Sequence, residues 1–267
     1  MTPTAPHGVK ASLPLQTQTQ AQALALCGLL AFSTLAQAAE VKVLTAGAYK
    51  SVVVALAPGF EQRTGHKLVI ENDTAGALQK RIANGEPFDL VVVTPAALEA
   101  LVKSGQVAPG SQRLARVAIG VAVKQGAPSP DISTVAAFQK TLLAARAVAT
   151  IDPAAGGSSG IYLWQLFEKM GIAAQLKPKA VLVPGGLVAP RLLTGEADLA
   201  IHQISEIISV VGVTLVGPLP AEIQNYTVYA GGVSASARDA GAALAFLATL
   251  AGPGAAAVLK DKGMEAP

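Results

Sequence analysis

Short apolar runs alternate with amphipathic stretches along most of the chain, separated by turns of glycine, serine, threonine and other small residues. Val41 to Thr45 reads as a strand, Ala46-Gly47-Ala48 as a turn, and Val53, Leu56 and Phe60 then recur at helical spacing from about Tyr49. Pro58 falls inside that pattern, where it removes a backbone donor, and predicts a kink or an early end. Lys67 to Ile70 predicts the next strand, Asn72 to Gly76 its turn, and Ala77 to Ala83 its helix. After a break at Gly85 to Phe88, Asp89 to Thr94 returns as a strand and Pro95 opens another helix. Val117 to Val123 is a longer strand that reads as a crossing into a second lobe. There the pattern predicts a helix over 133–146, strands at 147–151 and 181–183, a helix over 187–193 and a strand at 198–202. Tyr226 to Gly232 reads as the return strand, with closing helices over 237–250 and 254–260. Strands alternating with helices at this spacing predict an α/β fold with a parallel sheet and crossover helices. The two crossings predict a clamshell of two lobes, 40–120 with 228–267 and 121–227.

The most informative stretch is Ile151 to Ile172, where an apolar strand runs through a glycine and serine loop into an amphipathic helix. Gly156, Gly157 and Gly160 let backbone approach a ligand, Ser158 or Ser159 can cap the helix, and Gly171 is placed as its stop. A helix start carries unsatisfied N–H groups and about half a positive charge, so it can hold an anion without a cationic side chain. The loop lacks the GK[ST] ending of a phosphate loop, so by itself it also fits an ordinary strand-to-helix turn.

Composition then narrows the setting. Residues 1–39 contain a single cation, Lys10, an apolar run from Ala23 to Phe32 too short to span a bilayer, and small residues at Ala36 to Ala39. This predicts a cleaved secretory signal and a periplasmic product without stable membrane insertion. The only cysteine, Cys27, lies inside the apolar run, so the expected mature chain has no thiolate chemistry and no disulfide. The near balance of charge and the 4% aromatic content give no nucleic-acid surface. The three histidines have no paired metal-ligand spacing, and the G-x-S-x-G match at Gly156 to Gly160 is set off from the strand at 147–151 by Asp152 to Ala155 and so is not a nucleophile elbow following a strand; the expected chemistry uses neither metal nor other cofactor.

Four segments carry a resemblance: VKVLTAGAYKSVVVALAPGFEQRTG, ALQKRIANGEPFDLVVVTPAALEALVKSG, SSGIYLWQLFEKMGI and GEADLAIHQISEI. In this order and spacing they resemble the periplasmic molybdate-binding proteins of ABC transporters, and more broadly the type II periplasmic binding fold. The resemblance implies a monomeric clamshell that holds a small anion by hydroxyls and backbone N–H groups at its turns, with an ABC transporter permease as partner. The serine of the family's first turn corresponds to Ala48, that of the second to Ala75 or a neighbour, and the tyrosine near the hinge to Gln203. Each lost hydrogen bond to a desolvated dianion is worth about 1.5 to 3 kcal/mol, which argues against tight molybdate binding and for an organic, tricarboxylate-like acid. The motifs SSGIYLWQLF, HQISEI and VVGVTLVGPLP resemble the divergent branch of the family that includes aconitate isomerase.

Two functions therefore stand: a receptor for a small polyanion, taken first, and a cofactor-free isomerase that moves an allylic proton between cis- and trans-aconitate. The ligand-binding candidates are Gly47, Ala48, Tyr49, Lys50, Thr74, Ala75, Ser158, Ser159, Gly160, Arg191 and Gln203. Lys50 stands in a first helical turn, where a cation is unfavourable unless an anion is near, and reads otherwise as a solvated lysine. Arg191 follows a Pro-Gly-Gly loop and offers a bidentate guanidinium to a carboxylate. For an isomerase, acid and base come from Glu206, Lys50, His202 and Tyr162. Glu206 near a bound polyanion would have a raised pKa suited to taking a carbon-bound proton. His202 alternates out of phase with Gln203, so at most one of them is expected to face the cleft.

Overall fold

The computed structural model describes residues 1–5, 8 and 38–267; the apolar run and Cys27 of the expected leader lie outside the described residues. Strand β1 (Glu40–Ala46) is buried on both faces from Val43 onward, so its residues are apolar without strict alternation. It turns directly into α1 (Gly47–Thr64), which starts two residues before the expected position and runs through Pro58 instead of ending there. The proline ring sits on the solvent side of the helix, and the carbonyl it leaves unmatched belongs to exposed Val54, where water can serve it.

The same strand-turn-helix unit repeats as β2 (Lys67–Asp73) with α2 (Ala75–Ala83), and β3 (Leu90–Val93) with α3 (Pro95–Lys103). Long β4 (Gln112–Lys124) leads to α4 (Val135–Ala144), then β5 (Val148–Ile151), α5 (Ser158–Lys169) and the short α6 (Ala173–Leu176). Next come β6 (Ala180–Val183), α7 (Pro190–Leu193), β7 (Leu199–Gln203) and α8 (Ile204–Ile207). The chain closes with β8 (Val213–Pro218), β9 (Tyr226–Val233), α9 (Ala240–Ala251) and α10 (Ala255–Asp261). The strand β8 is an element the hydrophobic pattern did not predict.

The ladder runs β2-β1-β3-β9-β4-β7-β5-β6, with β8 also paired to β4. In one half β1, β2 and β3 are parallel, and β9 is antiparallel to β3 and to residues 112–118 of β4. In the other half β5, β6 and β7 are parallel, and β7 and β8 are antiparallel to residues 119–124 of β4. Strand β4 therefore changes partner between Ala118 and Ile119. There the carboxamide of Gln224 accepts the Ile119 N–H at 3.0 Å and donates to the Ile119 carbonyl at 2.9 Å, standing in for a strand.

Each half has apolar packing on both faces. Phe60 and Phe246 pack on one face of the first half and Leu78, Leu98 and Leu101 on the other; Phe138, Leu163 and Phe167 face Val188, Leu192 and Ile207 across the second. Fully burying side chains of this size contributes about 1.5–3 kcal/mol each, which fixes the strand ends that carry the site.

Candidate functional site

The carboxyl ends of β1, β2, β5 and β7 converge on one narrow cleft of about 40 Å³. Helices follow each of these strands, the position where open α/β sheets bind ligands. The N-caps of α1 and α5 are Ala46 and Gly157, neither of which makes a side-chain cap bond, and neither helix has an acid in its first turn. By contrast Thr94, Thr134 and Asp239 cap α3, α4 and α9 through their side chains. The two uncapped helix starts leave N–H groups and positive dipole ends beside the cleft.

Ser158 and Ser159 are thus not caps, as the sequence suggested; they are the first two helical residues, and both line the cleft. Ser158 Oγ accepts from Gln203 Nε2 at 2.9 Å, and Gln203 Nε2 also lies within hydrogen-bond distance of Thr227 Oγ1 (3.0 Å) and Tyr229 Oη (3.4 Å). Gly47, Ala48, Thr74 and Ala75 line the opposite wall. Asp73 puts an acidic group there too, but its Oδ1 accepts the Thr74 N–H at 2.8 Å and its Oδ2 lies 3.8 Å from Arg81.

The two walls touch at the cleft mouth. Thr74 Oγ1 donates to the Ala155 carbonyl at 2.5 Å, the Gly76 N–H donates to the Gly156 carbonyl at 3.2 Å, and a Cβ on Gly76 would lie 2.9 Å from Gly156 Cα. Ser205 Oγ, bonded to the Ala48 carbonyl at 2.9 Å, joins the two sides a second time.

His202 and Gln203 both line the cleft, which corrects the expectation that alternation admits one at most. The strand ends at Gln203, whose backbone (φ −57°, ψ 136°) already turns into α8, so the two-residue period no longer holds there. Glu206, one turn on, is buried, with Oε2 3.1 Å from His202 Nε2. Its Oε1 lies against Gly47, where a Cβ would come within 2.8 Å. Burial pushes the Glu206 carboxyl up to about 8 and the His202 imidazole down to about 3. Whichever of the two holds the proton near neutrality, the pair has no net charge, so it does not repel an anion at the helix ends. Burial, and then the nearby Glu206, push the Tyr229 hydroxyl above its ordinary range. Tyr229 lines the cleft and was missed in the sequence, where Tyr226 to Gly232 read only as the return strand.

Five candidates stand elsewhere. Tyr49 is wholly buried with its ring 6.1 Å from that of Tyr229, because its helix phase turns it into the core. Gly160 lets α5 approach β5, since a Cβ there would collide with the Ile151 carbonyl. Tyr162 donates to the Ile223 carbonyl at 2.8 Å, at the crossing between the halves. Arg191 pairs with Glu196 at 3.0 Å on the surface, which spends its guanidinium away from the cleft. Lys50 lines an adjoining chamber rather than the cleft itself.

A family model described as bacterial extracellular solute-binding protein matches residues 41–265. Aconitate isomerase from a Pseudomonas species is 38% identical over 253 residues, covering 91% of this chain and 95% of that protein. Molybdate-binding protein ModA of Azotobacter vinelandii is 30% identical over 188 residues, 67% of this chain and 70% of that protein. Among solved structures, the periplasmic molybdate-binding protein of Azotobacter vinelandii superposes with a TM-score of 0.73 at 24% identity, covering 85% of this chain and 99% of that one. The sulfate-binding protein SubI of Mycobacterium tuberculosis gives 0.72 at 18%, covering 85% and 87%. With a matched length that takes in both halves of the sheet and the cleft between them, this chain belongs to the bacterial extracellular solute-binding proteins of the molybdate-binding-like, type II periplasmic binding fold.

Proposed function

We propose that this protein is an aconitate isomerase acting outside the cytoplasm. The observation that carries the reading is the buried Glu206 carboxyl in the cleft, 3.1 Å from His202 and beside two uncapped helix starts. A cleft that only holds an anion has no use for a titratable acid there; proton transfer at carbon needs one. The relative named aconitate isomerase, similar over nearly its whole length, supports the same choice.

In the proposed step the ionised Glu206 takes a proton from the substrate methylene, and the electron pair moves into the allylic system. A proton then returns to the far carbon, so the double bond shifts by one position and no atom is gained or lost. The N–H groups opening α1 and α5, with Ser158 and Gln203, hold the carboxylates on which negative charge accumulates. His202 keeps the Glu206 carboxyl in place, and the contacts at the mouth exclude water. The lobes 40–120 with 228–267 and 121–227 close by hinge motion around the substrate.

Proton NMR of trans-aconitate incubated with the protein tests this. Signals of cis-aconitate are expected to grow, and Glu206→Gln is expected to slow them by about 10²–10⁴-fold, the usual worth of a general base. Binding by calorimetry without conversion would refute the isomerase. It would leave the receptor reading, favoured by the hydrogen-bonded mouth, in which the closed protein hands a carboxylate to an ABC transporter permease.

A further inference from the structure

Beside the cleft lies a second, larger chamber of about 370 Å³. Gly47, Asn72, Gly186 and Glu206 border both spaces, so the Glu206 side chain stands between them. The outer chamber is further lined by Lys50, Ser51, Ser205 and Ser209. Lys50 makes no ion pair among the described residues, and no acid stands in the first turn of α1 beside it. A cation in that turn opposes the helix dipole unless an anion sits between. Ser51 Oγ is buried and has no hydrogen-bond partner among the described residues. A buried hydroxyl without a partner is costly, and an anion in the chamber would relieve both conditions.

The chemistry of the proposed reaction requires such a place. The methylene that loses its proton carries a carboxylate of its own, so a negative group lies within two bonds of the atom that the base must reach. With two carboxylates at the helix starts in the inner cleft, the third must pass Glu206 on its outer side. We propose that the outer chamber is the subsite for that third carboxylate, held by Lys50 and Ser51, and that it makes the protein select tricarboxylates over dicarboxylates. This assignment rests on the isomerase reading and adds to it the residues that set its substrate class.

Calorimetry with trans-aconitate and with mesaconate, in which a methyl group replaces the methylene and its carboxylate, tests the subsite on the full protein and on Lys50→Met and Lys50→Arg. Lys50→Met keeps most of the stem and removes the charge. It is expected to weaken trans-aconitate by about tenfold or more, as for a lost hydrogen bond to a charged group, while mesaconate changes less than about twofold. Lys50→Arg is expected to recover most of the loss. Equal weakening of both ligands, or no change in either, would overturn the subsite while leaving the isomerase standing. A wild-type protein that neither binds nor converts trans-aconitate would instead refute the proposed function, and this assignment with it.

Discussion

Replacing Gly76 by alanine separates closure of the cleft from stability of the fold. Gly76 lies in the first turn of α2 with a backbone that alanine can adopt, so its own helix gains, by about 1 kcal/mol on helix propensity. The cost falls on the contact between the walls. The new Cβ would stand 2.9 Å from Gly156 Cα and 3.3 Å from its carbonyl oxygen. Carbon atoms at rest keep about 3.5–4.0 Å, so the walls must part by about 1 Å. That movement takes the Gly76 N–H to Gly156 carbonyl bond, already 3.2 Å, out of range and loosens the Thr74 to Ala155 bond. Two such bonds are worth about 0.5–1.5 kcal/mol each, so the closed form loses about 1–3 kcal/mol. Trans-aconitate measured by calorimetry should therefore bind about 5- to 150-fold more weakly to Gly76→Ala. A thermal scan without ligand should show a midpoint equal to or above that of the wild type. Affinity within twofold of wild type would refute the claim that this contact belongs to the closed form.

Two further predictions follow from the Glu206 and His202 pair. Glu206, raised from 4.5 to about 8, stabilises the fold fully below about pH 4.5 and loses that contribution as pH rises to 8. His202, lowered from 6.5 to about 3, contributes above pH 6.5 and loses it as pH falls. The two slopes offset each other between 4.5 and 6.5, leaving a decline of at most about 2 kcal/mol from pH 6.5 to 8, and urea titrations should find it in wild type and not in Glu206→Gln. The second concerns Gly47, where an alanine Cβ would come within 2.8 Å of Glu206 Oε1 and push the carboxyl off its seat. Gly47→Ala is expected to keep its melting midpoint within a few degrees and lose at least about tenfold in turnover; full turnover would deny the base its position.

The repeated strand-turn-helix units were legible because their signals are local: apolar runs, small-residue turns and helical spacing all lie within a few residues. The same locality made Pro58 mislead, since what rescues it is the exposure of Val54, a property of the whole helix on the protein surface. Glu206 could be singled out as an acid after a strand end, but its burial depends on Gly47, far away in sequence. The Gly76 and Gly156 contact joins a helix start to a loop eighty residues away and leaves no pattern in either. β8 escaped because VTLVGP is partly exposed, lacks clean alternation, and becomes a strand only by pairing with β4. Arg191 was misplaced for a local reason: Glu196, five residues on, captures it.

The side-chain amide of Gln224 at the crossing gives the molecule a joint that need not tear a sheet in order to flex. Where β4 leaves β9 and joins β7, one rung is a glutamine, which can let go of Ile119 and take hold again while every neighbouring main-chain rung stays made. Because Tyr162 anchors α5 to the adjacent Ile223, the helix whose first residue is Ser158 is coupled to that rung. Under the proposed hinge motion, this carboxamide would be the rung that yields and re-forms, on the microsecond-to-millisecond scale of domain hinges.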